Sequence, residues 1–436
     1  MTTKSIRYNI VSETGDGFGF AARLVQEGYA TRFWARSSEA KSIGDRIVPK
    51  VGDLEDLLYD AESDRDIFVF DVSGNGIIAD YVSSQGFPVL GGSMLSDRLE
   101  RDRKFGYSIM LRCDIEVPET KSFKSFEDGI KFVTDNPDTR WVYKPSKQLG
   151  DLSASHVSYD TEDLVKMLEN ISKDVDITKP QFELQAFEKG VAFSTELWFQ
   201  HGDFIEPLTN HTLERKELMN DDLGPSGGCL GNITWFCQGC KVCKIAKRLT
   251  QWAKREAYHG MLDLNVIVTP SGRVYGLEFT PRFGYDASPT LLWELVKGGL
   301  GTFFADMARG QITNLNLRDD FAGALRVTIP PWPTEKHTAE ENVPIRGIDD
   351  LDHTYLYNVK EDDDGLCTAG AWGIVALFTG RSVNPARALD RPLDCAKRVR
   401  LKNKQCRTDL AKQFSKDLDL LSEAGVEINV GVEETV

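Results

Sequence analysis

The stretch from Gly272 to Gly284 constrains this chain more than any other. It reads as a strand ending in an acid, Glu278, with Thr280 two positions on and Arg282 two further. Side chains alternate along a strand, so Glu278, Thr280 and Arg282 share one face. A carboxylate, a neutral oxygen and a guanidinium pointing together can hold a divalent cation and a phosphate. The same alternation also suits an ordinary salt-bridged sheet edge. Upstream, Tyr258 to Val268 is an apolar, β-rich run, and Pro270, Ser271 and Gly272 form a turn signal. The two runs predict a hairpin that sets Asn265 near Glu278.

At 436 residues the chain has room for several domains with sizeable cores. A net charge of −15 argues against binding a nucleic-acid backbone, although a nucleotide-sized ligand in a local basic cleft remains compatible with it. No apolar run is long enough to span a membrane and the N-terminal residues lack a signal-peptide core, so a cytoplasmic protein is expected. With no secretion signal, the 8 cysteines are not expected to form disulfides. Cys229, Cys237, Cys240 and Cys243 cluster, and the last three have a spacing that can ligate zinc or an iron–sulfur cluster. No second cysteine pair or histidine pair follows, so reduced thiols in a loop without metal are the expectation.

Strand-like runs at Tyr8–Val11, Ala30–Ala35, Asp66–Val72 and Pro88–Gly91, with amphipathic segments such as Ala21–Glu27 between them, predict a parallel sheet with helices outside it over residues 1–96. A charged helix is expected over about 97–114. Residues 97–325 then form a second domain, with a small lobe at about 115–190, long loops after 200, a helix at about 242–257 and the hairpin. Residues 326–436 form a small C-terminal domain, entered through the proline-rich Ile329 to Pro333 and closed by a helix at about 407–424.

Several segments carry candidate chemistry. Trp141 to Lys144 is an apolar strand presenting a lysine beside the small-residue loop Pro145 to Ser155, which suits a nucleotide phosphate or equally a surface lysine before a flexible loop. Glu214 to Glu217 is charged, and Asp222 to Gly231 is glycine-rich, so exposed backbone amides there can bind a carboxylate or acyl phosphate. The loop Gly15 to Phe20 keeps three glycines ahead of a helix, a geometry able to hold an anion.

In this order the segments resemble the ATP-grasp ligases, and among them the phosphoribosylamine–glycine ligases (glycinamide ribonucleotide synthetases) of purine biosynthesis. Gly272 to Gly284 resembles their metal-binding hairpin, with Thr280 where they have asparagine. Lys144 and its loop resemble their phosphate loop, Leu99 to Phe105 their second phosphate cation, Phe182 to Ser194 their adenine hinge, and Asp222 to Gly231 their glycine-rich substrate loop. Asn403 to Leu410 resembles their closing segment. The resemblance implies an α/β and α+β ATP-grasp fold, with an N-terminal Rossmann-like domain ahead of the clamp and a small C-terminal domain. It implies a carboxylate–amine ligase forming an amide through an acyl phosphate, with ATP and Mg²⁺ (or Mn²⁺).

The roles it implies are these. Lys144 and Arg103 hold the ATP phosphates; Gln185, Ala186, Phe187 and Glu188 form the hinge; Glu278, Thr280 and Asn265 bind metal. Arg282 and Lys144 are catalytic. Gly15, Gly17, Gly19, Lys216, Gly224, Pro225, Ser226, Gly227 and Gly228 bind substrates. Small-molecule partners are implied, an amino acid such as glycine and an amine, acting on a monomer or homodimer. Two amine-recognition elements depart from the relatives. The arginine, glutamate and histidine after the first glycine loop are absent, and Val72 to Gly76 replaces a second recognition loop. The amine is therefore expected to differ, for example a modified nucleoside or nucleotide, with an apolar face meeting Phe18 and Phe20. A degenerate nucleotide-binding protein is a third reading.

Overall fold

The computed structural model describes residues 5–145, 155–174, 181–284, 286–334 and 337–428. Most of the expected loop Pro145 to Ser155 lies outside the described residues. Strands β1 (Arg7–Ser12), β2 (Ala30–Ala35), β3 (Asp66–Phe70) and β4 (Val89–Leu90) form a parallel sheet of order β2-β1-β3-β4. Both faces of β1 and β3 are buried, which suits the apolar run Ile67 to Phe70 of β3. Helix Phe18–Gln26 covers one face, with Phe18, Phe20, Ala21 and Leu24 in the core. Phe18 and Phe20 are therefore 0% and 2% exposed, and the expectation that they meet a ligand is corrected. Phe20 packs against Phe283, Trp293, Phe304 and Tyr355 instead.

The single helix expected over 97–114 is two helices, Met94–Arg101 and Arg103–Arg112, broken at Asp102. Asp102 caps the second by accepting the Phe105 amide proton at 3.0 Å. A small lobe follows: β5 (Thr120–Phe123), β6 (Trp141–Pro145), β7 (His156–Val157) and β8 (Phe182–Ala186), in the order β5-β8-β6-β7. Helices Phe126–Asp135 and Thr161–Asp174 pack on one face, against Trp141, Tyr143, Phe182 and Leu184. Alternation then turns Lys144, Glu183 and Gln185 to the other face, and Lys144 stands directly across from Glu183.

The remaining strands are β9 (Val191–Gln200), β10 (Asp203–Met219), β11 (Leu223–Phe236), β12 (Gly260–Val268), β13 (Val274–Phe279), β14 (Phe321–Thr328), β15 (Glu341–Pro344), β16 (Thr354–Leu356), β17 (Val359–Asp362), β18 (Gly365–Ala369) and β19 (Ile374–Ser382). Eight of them make one sheet of order β13-β12-β9-β10-β11-β14-β19-β16. Two features differ from the sequence reading. The glycine-rich segment expected as a loop is strand β11, paired with β10 in a ribbon whose turn is Asn220–Asp222. The cysteines are only partly in a loop: Cys237 lies in the short link after β11, whereas Cys229 is within β11, Cys240 caps the helix Lys241–Ala246 and Cys243 is inside it. Strand β14 runs unbroken through position 325 and joins β11 to β19, so the large sheet continues into the C-terminal residues. Among the described residues no helix is long and apolar enough to cross a membrane.

Candidate active site

The polar face of the large sheet is built by register. Asp263 of β12 pairs with Glu196 of β9, Asn265 pairs with Ser194 and with Glu278, and Glu196 pairs with Asn210 of β10. These residues therefore point to one side. The expected hairpin forms, and Asn265 lies opposite Glu278. Thr280 donates to Asp263 Oδ2 at 2.5 Å, Asn265 Nδ2 donates to Thr280 Oγ1 at 3.0 Å, and Ser194 donates to Asn265 Oδ1 at 3.2 Å. The structure thus brings Glu278, Thr280 and Asn265 together and adds Asp263, which the sequence reading passed over. Asp263 Oδ1 is buried with no protein partner. A buried carboxylate oxygen without a donor calls for a cation or water. Burial, with the Glu214 carboxylate adding to it, pushes Asp263 up to about 7. Burial, then Asp263, pushes Glu196 up to about 8. Two acids that resist ionising side by side gain from a nearby positive charge. The donors are all oxygens, and such a set fits a hard divalent ion such as Mg²⁺ or Mn²⁺.

Lys144 faces the same cleft, only 8% exposed. Burial lowers its pKa; Glu278 opposes the fall, and Arg103 and Lys216 add to it. The Arg103 guanidinium donates to the Pro145 carbonyl, which ties the helix Arg103–Arg112 to the end of β6. Lys144, Arg103, Lys104, Glu183 and Ser122 line a cavity of about 540 Å³ at the junction of the small lobe and the helix pair. Glu183 Oε2 is a further buried oxygen without a protein partner. Of the expected hinge, Gln185 is turned inward, with Nε2 donating to Tyr107 Oη and Thr120 Oγ1, both at 3.1 Å. The amides of Ala186 and Phe187 donate to the Glu119 and Arg140 carbonyls, so neither N–H is available to a base. Glu188 is half-buried.

A second cavity of about 280 Å³ lies between the N-terminal loop and the ribbon. Thr14, Asp16, Ser226, Gly227, Gly228 and Arg326 line it, with Trp332, Pro333, Trp372 and Ile374 as apolar walls. It unites two of the segments singled out in the sequence, although Gly224 and Pro225 lie on the exposed outer ribbon and do not line it. Lys216 is exposed on β10, and burial of its surroundings is outweighed by Glu214 and Glu278, which raise its pKa. Arg326 and the two tryptophans were not legible in the sequence. The Arg326 guanidinium forms a bidentate pair with Asp286 at 3.0 and 2.6 Å and lies over the rings of Trp332 and Tyr357. Trp332 Nε1 is buried without a protein acceptor.

The roles expected of the first glycine loop change. Gly15 N–H donates to Ser12 Oγ at 2.8 Å, and Gly17 N–H donates to Asp71 Oδ2 at 2.5 Å. A Cβ on Gly19 would lie 2.4 Å from the Tyr355 ring, so this glycine serves helix packing. The carboxylate of Asp71 occupies the place at the helix start that an incoming anion would need. Burial and the neighbouring Asp16 carboxylate push Asp71 up to about 7. The loop Val72 to Gly76 is closed the same way, with the Gly74 and Gly76 amides donating to Asp97 at 2.6 and 2.9 Å. Arg282 pairs with Glu100 at 3.4 Å, and its charge opposes the rise that burial imposes on Asp16, Glu214 and Asp263.

These elements define the ATP-grasp fold: a Rossmann-like domain, a small lobe and a large antiparallel sheet with a polar cleft between them. No protein-family model matches the chain. The crystal structure of phosphoribosylamine–glycine ligase from Thermotoga maritima superposes with a TM-score of 0.72 at 18% identity, covering 93% of this chain and 100% of that one. In sequence, the phosphoribosylamine–glycine ligase of Leifsonia xyli subsp. xyli is 24% identical over 354 residues, 77% of this chain and 81% of that protein. That of Methanocella arvoryzae is 20% identical over 326 residues, 72% of this chain and 73% of that protein. The match to phosphoribosylamine–glycine ligases is thus distant and consistent across sequence and fold.

Proposed function

We propose that the protein is an ATP-dependent carboxylate–amine ligase whose amine is not phosphoribosylamine. The observation that carries the ligase reading is that Lys144, which lines the 540 Å³ cavity with Arg103, feels the charge of Glu278, the acid paired with Asn265 beside the Thr280 and Asp263 oxygens. Asp263 and Glu278, with Asn265 and Thr280, would hold Mg²⁺ or Mn²⁺, which when bound beside nucleotide phosphates offsets their charge. Lys144 and Arg103 would bind and orient those phosphates, a positioning role typical of phosphoryl transfer. Arg282, two positions beyond Thr280, would steady the charge of the carboxylate substrate as it is phosphorylated. The ribbon amides around Gly227 and Gly228 would seat that carboxylate, with a small amino acid such as glycine as the expected donor.

The amine half of the reading rests on Asp71 and Asp97. Asp71 takes the Gly17 amide and Asp97 takes the Gly74 and Gly76 amides, donors that a phosphate would otherwise use. The 280 Å³ cavity adds a third carboxylate, Asp16, and walls of Trp332 and Trp372. A cavity lined by a carboxylate and two indoles suits a cationic or planar amine better than a sugar phosphate. The test is ADP and phosphate release with glycine, ATP and freshly made phosphoribosylamine, run beside a panel of nucleoside and aromatic amines. Turnover with an amine lacking phosphate, and little with phosphoribosylamine, is expected. Efficient turnover with phosphoribosylamine would return the protein to purine synthesis. ATP binding with no ADP release across the panel would leave a nucleotide-binding protein without ligase activity.

A further inference from the structure

We propose that His211, Cys237, Cys240 and Cys243 form a structural zinc site. The ligand atoms of these four residues all lie within 4.8 Å of one another. His211 Nε2 is 3.3 Å from both Cys240 Sγ and Cys243 Sγ, and the two sulfurs are 2.9 Å apart. A tetrahedron with zinc–sulfur bonds of about 2.3 Å and a zinc–nitrogen bond of about 2.0 Å has edges of roughly 3.5–3.8 Å, within the spread of this cluster. An iron–sulfur cluster distributes its thiolates over several irons and needs them further apart. Downstream of the three cysteines the sequence offers no matching fourth ligand. The fourth ligand is His211, on a strand that precedes them, and Cys229 is not a member of the cluster.

The surroundings are those of a closed metal site. His211, Cys240 and Cys243 are 0% exposed and Cys237 is 1% exposed, so all four positions of the tetrahedron come from the protein. Thr195 Oγ1 lies 3.0 Å from His211 Nδ1, on the far side of the ring from the sulfurs, and so fixes which nitrogen faces the cysteines. Phe193 and Trp235 pack edge-on to the imidazole and hold its plane. The Cys243 amide donates to Cys240 Sγ at 3.1 Å, a bond that favours the thiolate a metal needs.

The site lies away from the cleft. His211 alternates along β10 with Asn210 and Thr212, which donate to Glu196 on the polar face. Zinc there would clamp the end of β11 and the start of helix Lys241–Ala246 to the middle of β10. The chain leaving that helix becomes β12, which carries Asp263 and Asn265. The metal is thus a structural clasp, with no open position for a substrate.

Full-length protein produced in zinc-supplemented medium and dialysed without chelator is expected to hold about one zinc per chain by elemental mass spectrometry. A mercurial thiol reagent should release that zinc. X-ray absorption should show three sulfur neighbours and one nitrogen, and cobalt-loaded protein should show the intense visible bands of tetrahedral thiolate coordination. Cys237→Ser should lose the zinc and several degrees of thermal midpoint, whereas Cys229→Ser should keep both. If Cys237→Ser proves insoluble, the stoichiometry and spectra of the unmodified protein decide alone. Metal below about a tenth of an equivalent, bound iron in place of zinc, or a Cys240–Cys243 disulfide in protein kept under reducing conditions would each overturn the assignment.

Discussion

Glu278 and Lys144 reach the cleft from different lobes, and each supports a direct test. Glu278 sits across from Asn265 beside the buried Asp263 carboxylate. Glu278→Ala removes one of two acids offered to a cation, and turnover should fall by about 10²-fold or more, the scale of lost electrostatic stabilisation. Near-normal turnover measured at saturating Mg²⁺ would remove Glu278 from the site. Lys144 is buried among Glu278, Glu183 and Arg103. Lys144→Ala should weaken ATP binding by about 1.5–3 kcal/mol, the worth of one hydrogen bond to a charged group. Unchanged nucleotide affinity by calorimetry would make it a structural lysine. Glu278 and Lys144 stood out in the sequence because each is a lone charge ending an apolar strand. Asp263 carried the same signal, a single acid inside Gly260–Val268, two positions from Asn265 and on its face. Arg326 and Trp332 carried none, because their meeting with Asp16 depends on strands far apart in the chain.

At the scale of elements, the start of helix Phe18–Gln26 shows how a familiar pattern changes meaning. Three glycines before a helix predicted an anion site, but the Gly17 amide is already taken by the carboxyl group of Asp71, which follows β3. Spacing cannot reveal that, since Asp71 reaches the loop only through the parallel pairing of β1 with β3. The pairing has a pH signature. Burial raises Asp71 to about 7 from an ordinary 3.8. Between those values the unfolded chain has released its proton and the folded chain has not, so this group's stabilisation is full below about pH 4 and is lost as pH rises through 7. Asp71→Asn, which keeps an acceptor for Gly17 without the charge, should flatten that dependence. Denaturant titrations at pH 5 and pH 8 should show the variant gaining on the wild type at the higher pH. An equal difference at both pH values would mean that Asp71 is ionised throughout. The ribbon of β10 and β11 is a second case: its glycines suggested a loop, yet the backbone pairs as strands, with positive φ at Gly224 and Gly228 absorbing its irregularity.

The whole molecule is organised by one sheet that the chain enters several times. Strand β14 lies between β11 and β19 and crosses position 325, the boundary suggested by the proline-rich Ile329 to Pro333. A chain ending at 325 would cut β14 short and strip β19 and β16 from the sheet, leaving apolar edge backbone exposed. Such a fragment should be insoluble or lack cooperative unfolding by circular dichroism; a soluble fragment with a sharp transition would show that the C-terminal strands are dispensable. By itself, the sequence determined the alternating parallel sheet at the N-terminus, the Asn265–Glu278 hairpin and the lysine-ended strand, because each is written in neighbouring residues by periodicity and turn chemistry. Tertiary structure alone decided that carboxylates close both amide-rich loops, that His211 joins three cysteines, and that Arg326 and two tryptophans wall a cavity. Those are contacts between residues remote in the chain, set by strand order and register, and no local pattern encodes them.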